Sequence, residues 1–316
     1  MTAPPGAKPA LLNLFPLAED YLAAIGEMFD CTTAPNDAAR RDVIAARGHE
    51  IQAVLTTGVA GLGAADMRAL PRLELVCAFG AGYEAIDVAY AKQHGITVTH
   101  APGSNEDSVA DHAMALLLSL VRQIPAHDRA CRQGIWRDDL PLAPQLAGKR
   151  LGILGLGRIG AKLARRAAGF DLAIGYHNRT RREDMAYAYF DSLRDLAAWC
   201  DALVITAPGT AGTFHRVDEA VLTALGPRGF LINVGRGGIV DTGALARALA
   251  AGSIAGAALD VYEGEPAPPA MLFAYPNVIL TPHVAGSSPE AMWAGVRMFL
   301  ENARRHFGGE AVLNRI

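Results

Sequence analysis

Three short stretches in the last third of the chain carry side chains able to hold an anion and move a proton. "FLINVGRGGIVD" sets Arg236 among Gly235, Gly237 and Gly238, a turn in which bare backbone leaves room for a small anion. "ALDVYEGEPAPP" places Glu265 in a Pro- and Gly-rich loop, and "VILTPHVAGSS" places His283 directly behind Pro282. An arginine neutralises a carboxylate and polarises a neighbouring carbonyl through one planar fork. A histidine of ordinary pKa is mostly neutral at pH 7, and a carboxylate partner raises it into the range of a proton donor. Taken singly, each has a bland reading as a surface arginine, a solvated acid or a satisfied histidine. Together they read as an acid–base site for an anionic substrate.

All three follow predicted strands, at the edge where open parallel sheets bind ligands. Short apolar runs alternate with helical patterns throughout, the mark of a parallel α/β architecture. In the first hundred residues strands are expected at 10–14, 51–56, 74–78 and 96–98, with helices at 37–48, 63–69 and 84–94. A second series begins at "RLGILGLG" and continues at 172–176, 202–206, 230–234, 256–261 and 277–280. Six strands suffice for a full dinucleotide-binding sheet.

The sequence "LGILGLGRIGAKLARRA" gives Gly155-x-Gly157-x-x-Gly160 directly after an apolar strand and opening a helix. GxGxxG alone is a weak signal, but strand–turn–helix context makes it a dinucleotide fingerprint. The first glycine makes the turn, the second admits a pyrophosphate, and the third lets helix pack on strand. With seventeen residues intervening after Gly160, "AIGYHNRTRR" presents Asn178, Arg179 and Thr180 where an acidic residue would hold the ribose 2′-hydroxyl of NAD. A carboxylate there would repel a 2′-phosphate. At ~4 Å and an effective dielectric of ~20 two unit charges interact by about 4 kcal/mol, whereas a tenfold preference needs only ~1.4 kcal/mol. Asn178 removes that repulsion, Arg179 and then Arg181 or Arg182 are positioned to pair with phosphate, and Thr180 adds a hydroxyl. The expectation is NADPH/NADP, with NADH a weaker alternative.

Bulk properties narrow the class. The chain has 316 residues, 51% hydrophobic and 19% charged, with a net charge of −3. That length suits two domains, and the charge points to neither nucleic acid nor an acidic membrane. No run of eighteen apolar residues occurs, and the start lacks a secretory pattern. Cys31, Cys77, Cys131 and Cys200 are widely spaced, which fits reduced thiols in a cytoplasm and no metal site. Two long helices read as bridges. One starts at Ser104 with Asp107 completing a capping box, carries Val109, Ala113, Leu116, Leu117, Leu120 and Ile124 on one face, and ends or kinks at Pro125. The other follows Ser288-Pro289 and carries Trp293, Val296, Leu300, Ala303 and Phe307. Residues 1–100 with 285–316 are therefore expected to form one domain and 101–284 a nucleotide domain.

"GLGRIG", "NVGRGGIVD", "ALDVYEGEP" and "TPHVAG" stand in this order, and jointly they resemble the D-isomer-specific 2-hydroxyacid dehydrogenase family over essentially the whole chain. The resemblance implies two doubly wound parallel-sheet α/β domains, a Rossmann domain and a smaller flavodoxin-like domain. It implies that Arg236 binds the carboxylate and carbonyl of a 2-oxo acid, that His283 is the acid/base, and that Glu265 orients and charges it. It further implies a cofactor site formed by Gly155, Leu156, Gly157, Arg158, Ile159, Gly160, Asn178, Arg179, Thr180, Ala207, Pro208, Thr213, Val234, Gly235, His283 and Gly286, with Asp260 on the nicotinamide carboxamide. "CAFGAGYEAID" resembles a family loop whose amides near Gly80 and Ala81 receive the substrate carboxylate, with Phe79 capping the pocket. Similarity is greatest to the glyoxylate/hydroxypyruvate reductase branch, in which a basic "NRT"-like turn accompanies NADPH. There an arm of about residues 105–145 makes a homodimer and Trp136 either reaches the partner's substrate or packs in the interface. Reductases of bulkier 2-oxo acids, of the 2-ketogluconate or phenylpyruvate type, are the near alternative. A dinucleotide-sensing corepressor of the C-terminal-binding-protein kind is the distant one.

Overall fold

The computed structural model describes residues 8–316, so the first residues of the start read above lie outside it. The described chain divides into two compact units, one ending at Asn105 and resuming at Ser287, the other spanning Glu106–Gly286.

In the first unit the order is β1 (Ala10–Asn13), α1 (Glu19–Gly26), β2 (Asp30–Thr33), α2 (Asp37–Arg47), β3 (Ile51–Thr56), α3 (Ala64–Arg68), β4 (Leu75–Ala78), α4 (Val88–Gln93) and β5 (Thr97–His100). The strands form one parallel sheet ordered β2-β1-β3-β4-β5, the flavodoxin-like arrangement. Alternate residues feed two cores: Leu12, Val54 and Val76 enter one, Leu11, Ala53, Leu55 and Leu75 the other. Burial on both faces is why the central strands read as continuous apolar runs. β2, "DCTT", has no counterpart among the expected strands because it is a polar, half-exposed edge strand. The helix expected at 84–94 is shorter: α4 starts at Val88, capped by the Asp87 carboxylate.

In the second unit follow α5 (Glu106–Val121), α6 (Ile124–Arg132), β6 (Arg150–Leu154), α7 (Arg158–Ala168), β7 (Ala173–His177), β8 (Ala188–Tyr189), α8 (Leu193–Trp199), β9 (Ala202–Ile205), α9 (Glu219–Leu225), β10 (Phe230–Asn233), α10 (Thr242–Ala250), β11 (Gly256–Leu259) and β12 (Val278–Leu280). The strands make a parallel sheet ordered β12-β11-β10-β9-β6-β7-β8, the Rossmann order with one strand added beyond β11. Seven strands replace the expected six because the two-residue edge strand β8 carries no apolar run of its own. Ile153, Val204 and Ile232 face a core with α5 and α7, while Leu203, Ile205 and Leu231 face one with α8, α9 and α10.

The first bridge helix differs from expectation. Ser104 does not cap it: its hydroxyl donates to Ala101 O at 2.8 Å, the helix begins at Glu106, and Asp107 instead pairs with Lys162 at 2.6 Å. It ends at Val121, Gln123 takes a left-handed conformation, and Pro125 sits in the first turn of α6, where its missing N–H costs nothing. Ile124 is therefore exposed rather than part of the buried face. The final helix, α11 (Pro289–Phe307), returns to the first unit with Ser288 accepting from Ala291 N–H and Phe299 stacked on Phe29.

Candidate functional site

Because every strand of the larger sheet is parallel, the segments following β6, β7, β9, β10, β11 and β12 leave from one edge. The order reverses between β9 and β6, and at this switch point ligands bind open α/β sheets.

The glycine loop lies there. Gly155 has φ +97, and a Cβ on it would stand 2.7 Å from the Ala207 backbone behind β9. A Cβ on Gly160 would meet Gly155 O at 2.5 Å, so the third glycine lets α7 approach the turn. A Cβ on Gly157 would meet nothing within 4 Å, and Gly157 caps α7 with no side-chain hydrogen bond. Close packing at two glycines with open space at the middle one is the cradle a pyrophosphate requires beside a helix N-terminus. Arg158 is ion-paired to the buried Glu106.

Behind β7, Asn178 fastens the glycine loop: its Oδ1 accepts the Leu156 N–H at 2.6 Å. Arg182 is committed to Asp184 and to the Leu156 carbonyl, and Arg181 to Glu183 and the face of Tyr189. Arg179 and Thr180 are exposed, and among the described residues Arg179 has no ion-pair partner. Behind β9, Thr213 closes the loop that starts at Pro208 by donating to Pro208 O at 2.9 Å and accepting from Thr210 N–H. Val234 is buried, and Gly235 would strike Ala207 O at 2.7 Å if it bore a Cβ.

The three residues that opened the sequence reading converge. His283 Nδ1 lies 2.7 Å from Glu265 Oε2, and Glu265 Oε1 accepts the Tyr262 N–H at 2.9 Å. Glu265 is 16% exposed and His283 38%. The Glu265 hydrogen bond raises the His283 pKa above the ordinary histidine value; burial, the main opposing influence, and the Arg236 charge lower it, and Asp260 adds to the rise. Burial pushes Glu265 upward, but the His283 hydrogen bond, the Tyr262 amide and the His283 and Arg236 charges together hold it below the usual carboxylate range. Arg236, half-buried, thus acts electrostatically on both members of the pair. Its turn is held by Asn233, whose amide donates to Arg236 O at 3.0 Å.

His283 has φ +53, an uncommon conformation for a residue other than glycine. Asp260 holds it there. The buried Asp260 carboxylate accepts from Thr281 Oγ1 at 2.6 Å, Val284 N–H at 2.9 Å and Ala285 N–H at 3.0 Å, while its carbonyl accepts the His283 N–H. Tyr262 donates its hydroxyl to Thr281 O, tying the Glu265 loop to the His283 loop. Burial first, then Asp260 and Glu265, push that phenol up to about 12, so it stays a donor. Gly286 closes the unit.

In the other unit, Phe79 follows β4 with its ring against Phe15, centroids 5.1 Å apart, and Gly80 has φ +124. The Ala81 carbonyl is anchored to His100 Nδ1 at 2.9 Å. Trp136, in the larger unit, is 67% exposed.

Several residues around the larger unit's site escaped the sequence reading. His112 on α5 lies 3.0 Å from Thr281 Oγ1, and His215 pairs with Glu263. Neither belongs to a glycine-rich turn. Only the first acid in "VYEGEP", Glu263, hinted that this loop holds more than Glu265.

The fold and this edge define a nicotinamide-dinucleotide oxidoreductase, and comparison with known proteins gives the family: the chain belongs to the D-isomer specific 2-hydroxyacid dehydrogenases, whose NAD binding domain model matches residues 114–285. It is similar to hydroxyphenylpyruvate reductase of Plectranthus scutellarioides, 39% identical over 279 residues, 88% of this chain and 89% of that one. It is also similar to glyoxylate/hydroxypyruvate reductase A of Arabidopsis thaliana, 41% identical over 269 residues, 85% and 86% of the two chains. Among solved structures, the NADPH-dependent glyoxylate/hydroxypyruvate reductase of Sinorhizobium meliloti, in complex with NADP and malonate, superposes with a TM-score of 0.89 at 39% identity, covering 98% of this chain and 97% of that one. Among the described residues no helix is long and apolar enough to cross a membrane.

Proposed function

We propose that the chain reduces small 2-oxo acids, glyoxylate and hydroxypyruvate foremost, to D-2-hydroxy acids, with NADPH preferred over NADH. The observation that carries this reading is the Glu265–His283 pair beside Arg236 at the sheet edge that also bears the glycine loop and Arg179. Arg236 binds the substrate carboxylate and polarises the keto oxygen. His283, its pKa raised by Glu265, delivers a proton to that oxygen as it gains charge. Glu265 holds Nδ1, so that Nε2 is the nitrogen turned to the substrate. The cofactor, when bound, supplies the hydride. Gly155–Gly160, with Arg158 contributing its backbone at the helix start, would hold its pyrophosphate, with Ala207, Pro208, Thr213, Val234, Gly235 and Gly286 along the same edge. Asp260 supports this site by fixing the His283 loop and is the candidate partner of the carboxamide. Arg179 and Thr180 would take the 2′-phosphate, since Arg181 and Arg182 are already paired.

The named relatives support both substrate size classes. The names of the Arabidopsis and Sinorhizobium relatives support the small acids as the first reading. The Plectranthus relative favours an arylpyruvate as the second reading. The exposed Ile124, Ile135, Trp136 and Leu142 on the arm support a homodimer. Steady-state kcat/KM for glyoxylate, hydroxypyruvate, 2-ketogluconate and hydroxyphenylpyruvate with each cofactor tests the proposal. A higher value for hydroxyphenylpyruvate selects the second reading, and no cofactor oxidation with any of them ends both.

A further inference from the structure

The loops carrying Arg236 and Glu265 are joined by a third segment that the chemistry above does not use. Phe214–Val217 runs beside the Arg236 turn: His215 N–H donates to Gly238 O at 2.8 Å, Val217 N–H to Ile239 O at 2.9 Å, and Asp241 N–H returns to Val217 O at 3.1 Å. The His215 ring turns to the other loop, with Nε2 2.6 Å from Glu263 Oε1. The second Glu263 oxygen accepts the Thr242 N–H at 3.0 Å and its hydroxyl at 2.5 Å, at the start of α10. Two residues further on stands Glu265. The two loops also touch directly, since a Cβ on Gly237 would lie 2.0 Å from the Tyr262 carbonyl carbon and oxygen.

His215 adopts φ +50 with its ring stacked on Phe214, centroids 3.9 Å apart. A left-handed backbone at a non-glycine residue persists only where its surroundings hold it. Here one residue serves two loops, its backbone engaging the arginine turn and its ring the acid loop. A solvated loop histidine would need neither the unusual backbone nor a partner whose other oxygen is already pinned to a helix N-terminus.

We propose that His215 is a positioning residue that brackets the Arg236 turn to the Glu263–Glu265 loop and thereby sets the geometry of proton delivery by His283. The inference rests on the acid–base reading above and deepens it. Charged groups acting on His283 are Glu265, Asp260 and Arg236. A change in its titration with all three still present therefore reports a change in their placement.

The test measures kcat, KM and the pH profile of glyoxylate reduction for the full-length protein and its variants, with NADPH affinity by fluorescence titration. His215→Ala is expected to lower kcat about tenfold or more through misplacement alone. It should move the alkaline fall of kcat to lower pH while NADPH affinity stays near wild type. His215→Gln, whose amide can donate from the place of the ring Nε2, is expected to recover most of both. Glu263→Gln should reproduce the shift from the other end and be non-additive with His215→Ala; it also serves if the alanine variant does not fold. Wild-type kcat and an unmoved profile in His215→Ala, or equal losses in the Ala and Gln variants, overturn the bracket and leave the acid–base reading standing. That reading fails separately if His283→Asn retains turnover in the same assay.

Discussion

His283 and Glu265 meet through Nδ1 and Oε2 at 2.7 Å, although 18 residues of chain separate them. The contact settles which imidazole nitrogen faces the carboxylate and which faces outward. It also makes each titration depend on the other, the His283 pKa being raised and that of Glu265 lowered. The backbone serves the same end: Asp260 organises the loop so that His283 keeps its left-handed conformation.

A pH dependence follows. On the proposed mechanism reduction requires protonated His283, so kcat should be highest below its raised pKa and fall as pH climbs through that value; oxidation should show the opposite limb. Glu265→Gln removes the main cause of elevation, moves the fall to lower pH, and lowers kcat near neutrality about 10²- to 10⁴-fold. Profiles that coincide for the two proteins would count against the pair. The pair's contribution to stability should have matching limits, lost on the acid side as Glu265 protonates below its lowered pKa and on the alkaline side as His283 deprotonates above its raised one. Melting temperature against pH, in wild type and variant, reads both limits.

Arg236→Ala should cripple turnover and weaken substrate binding together, with kcat/KM down about 10²- to 10³-fold. Arg236→Lys should rescue poorly, because a point charge cannot bind carboxylate and carbonyl through one planar fork. Near-normal kcat/KM in the alanine variant would remove arginine from the mechanism.

Much of this was legible from residue types and order. Ile51–Thr56 and Phe230–Asn233 are fully or nearly buried strands and announce themselves as apolar runs, and the glycine triplet is explained by its contacts. What escaped the reading has physical causes. The edge strand at Asp30–Thr33 is polar because half of it faces water. Ser104 has the right spacing for a capping box, but its hydroxyl serves Ala101. Asn178 shows from sequence only that an acid is missing; that its amide fastens Leu156 is a tertiary fact. His215 and Glu263 are 48 residues apart, and no local pattern joins them.

Asp260 offers a test of support rather than contact. Its carboxylate receives one hydroxyl and two backbone N–H groups in a buried setting. Asp260→Ala leaves those donors unsatisfied at about 1–3 kcal/mol for each that stays buried. The expected result is a lower melting temperature together with a large loss of kcat, measured by calorimetry and by glyoxylate reduction. An alanine variant with wild-type melting would show that the loop holds His283 without it.

On the function proposed above, cofactor choice rests on Arg179. Arg181 and Arg182 are engaged with Glu183 and Asp184, and Asn178 with the glycine loop, whereas Arg179 is exposed beside them. A charge-assisted hydrogen bond contributes about 1.5–3 kcal/mol, so Arg179→Ala should raise KM for NADPH roughly tenfold to a hundredfold. NADH has no 2′-phosphate to lose, and its KM should change little. Arg182→Ala should behave differently, loosening the Leu156 carbonyl and weakening both cofactors alike. Parallel titrations of the two variants with both cofactors separate a phosphate clamp from a loop brace, and equal losses for NADPH and NADH in Arg179→Ala would refute the clamp.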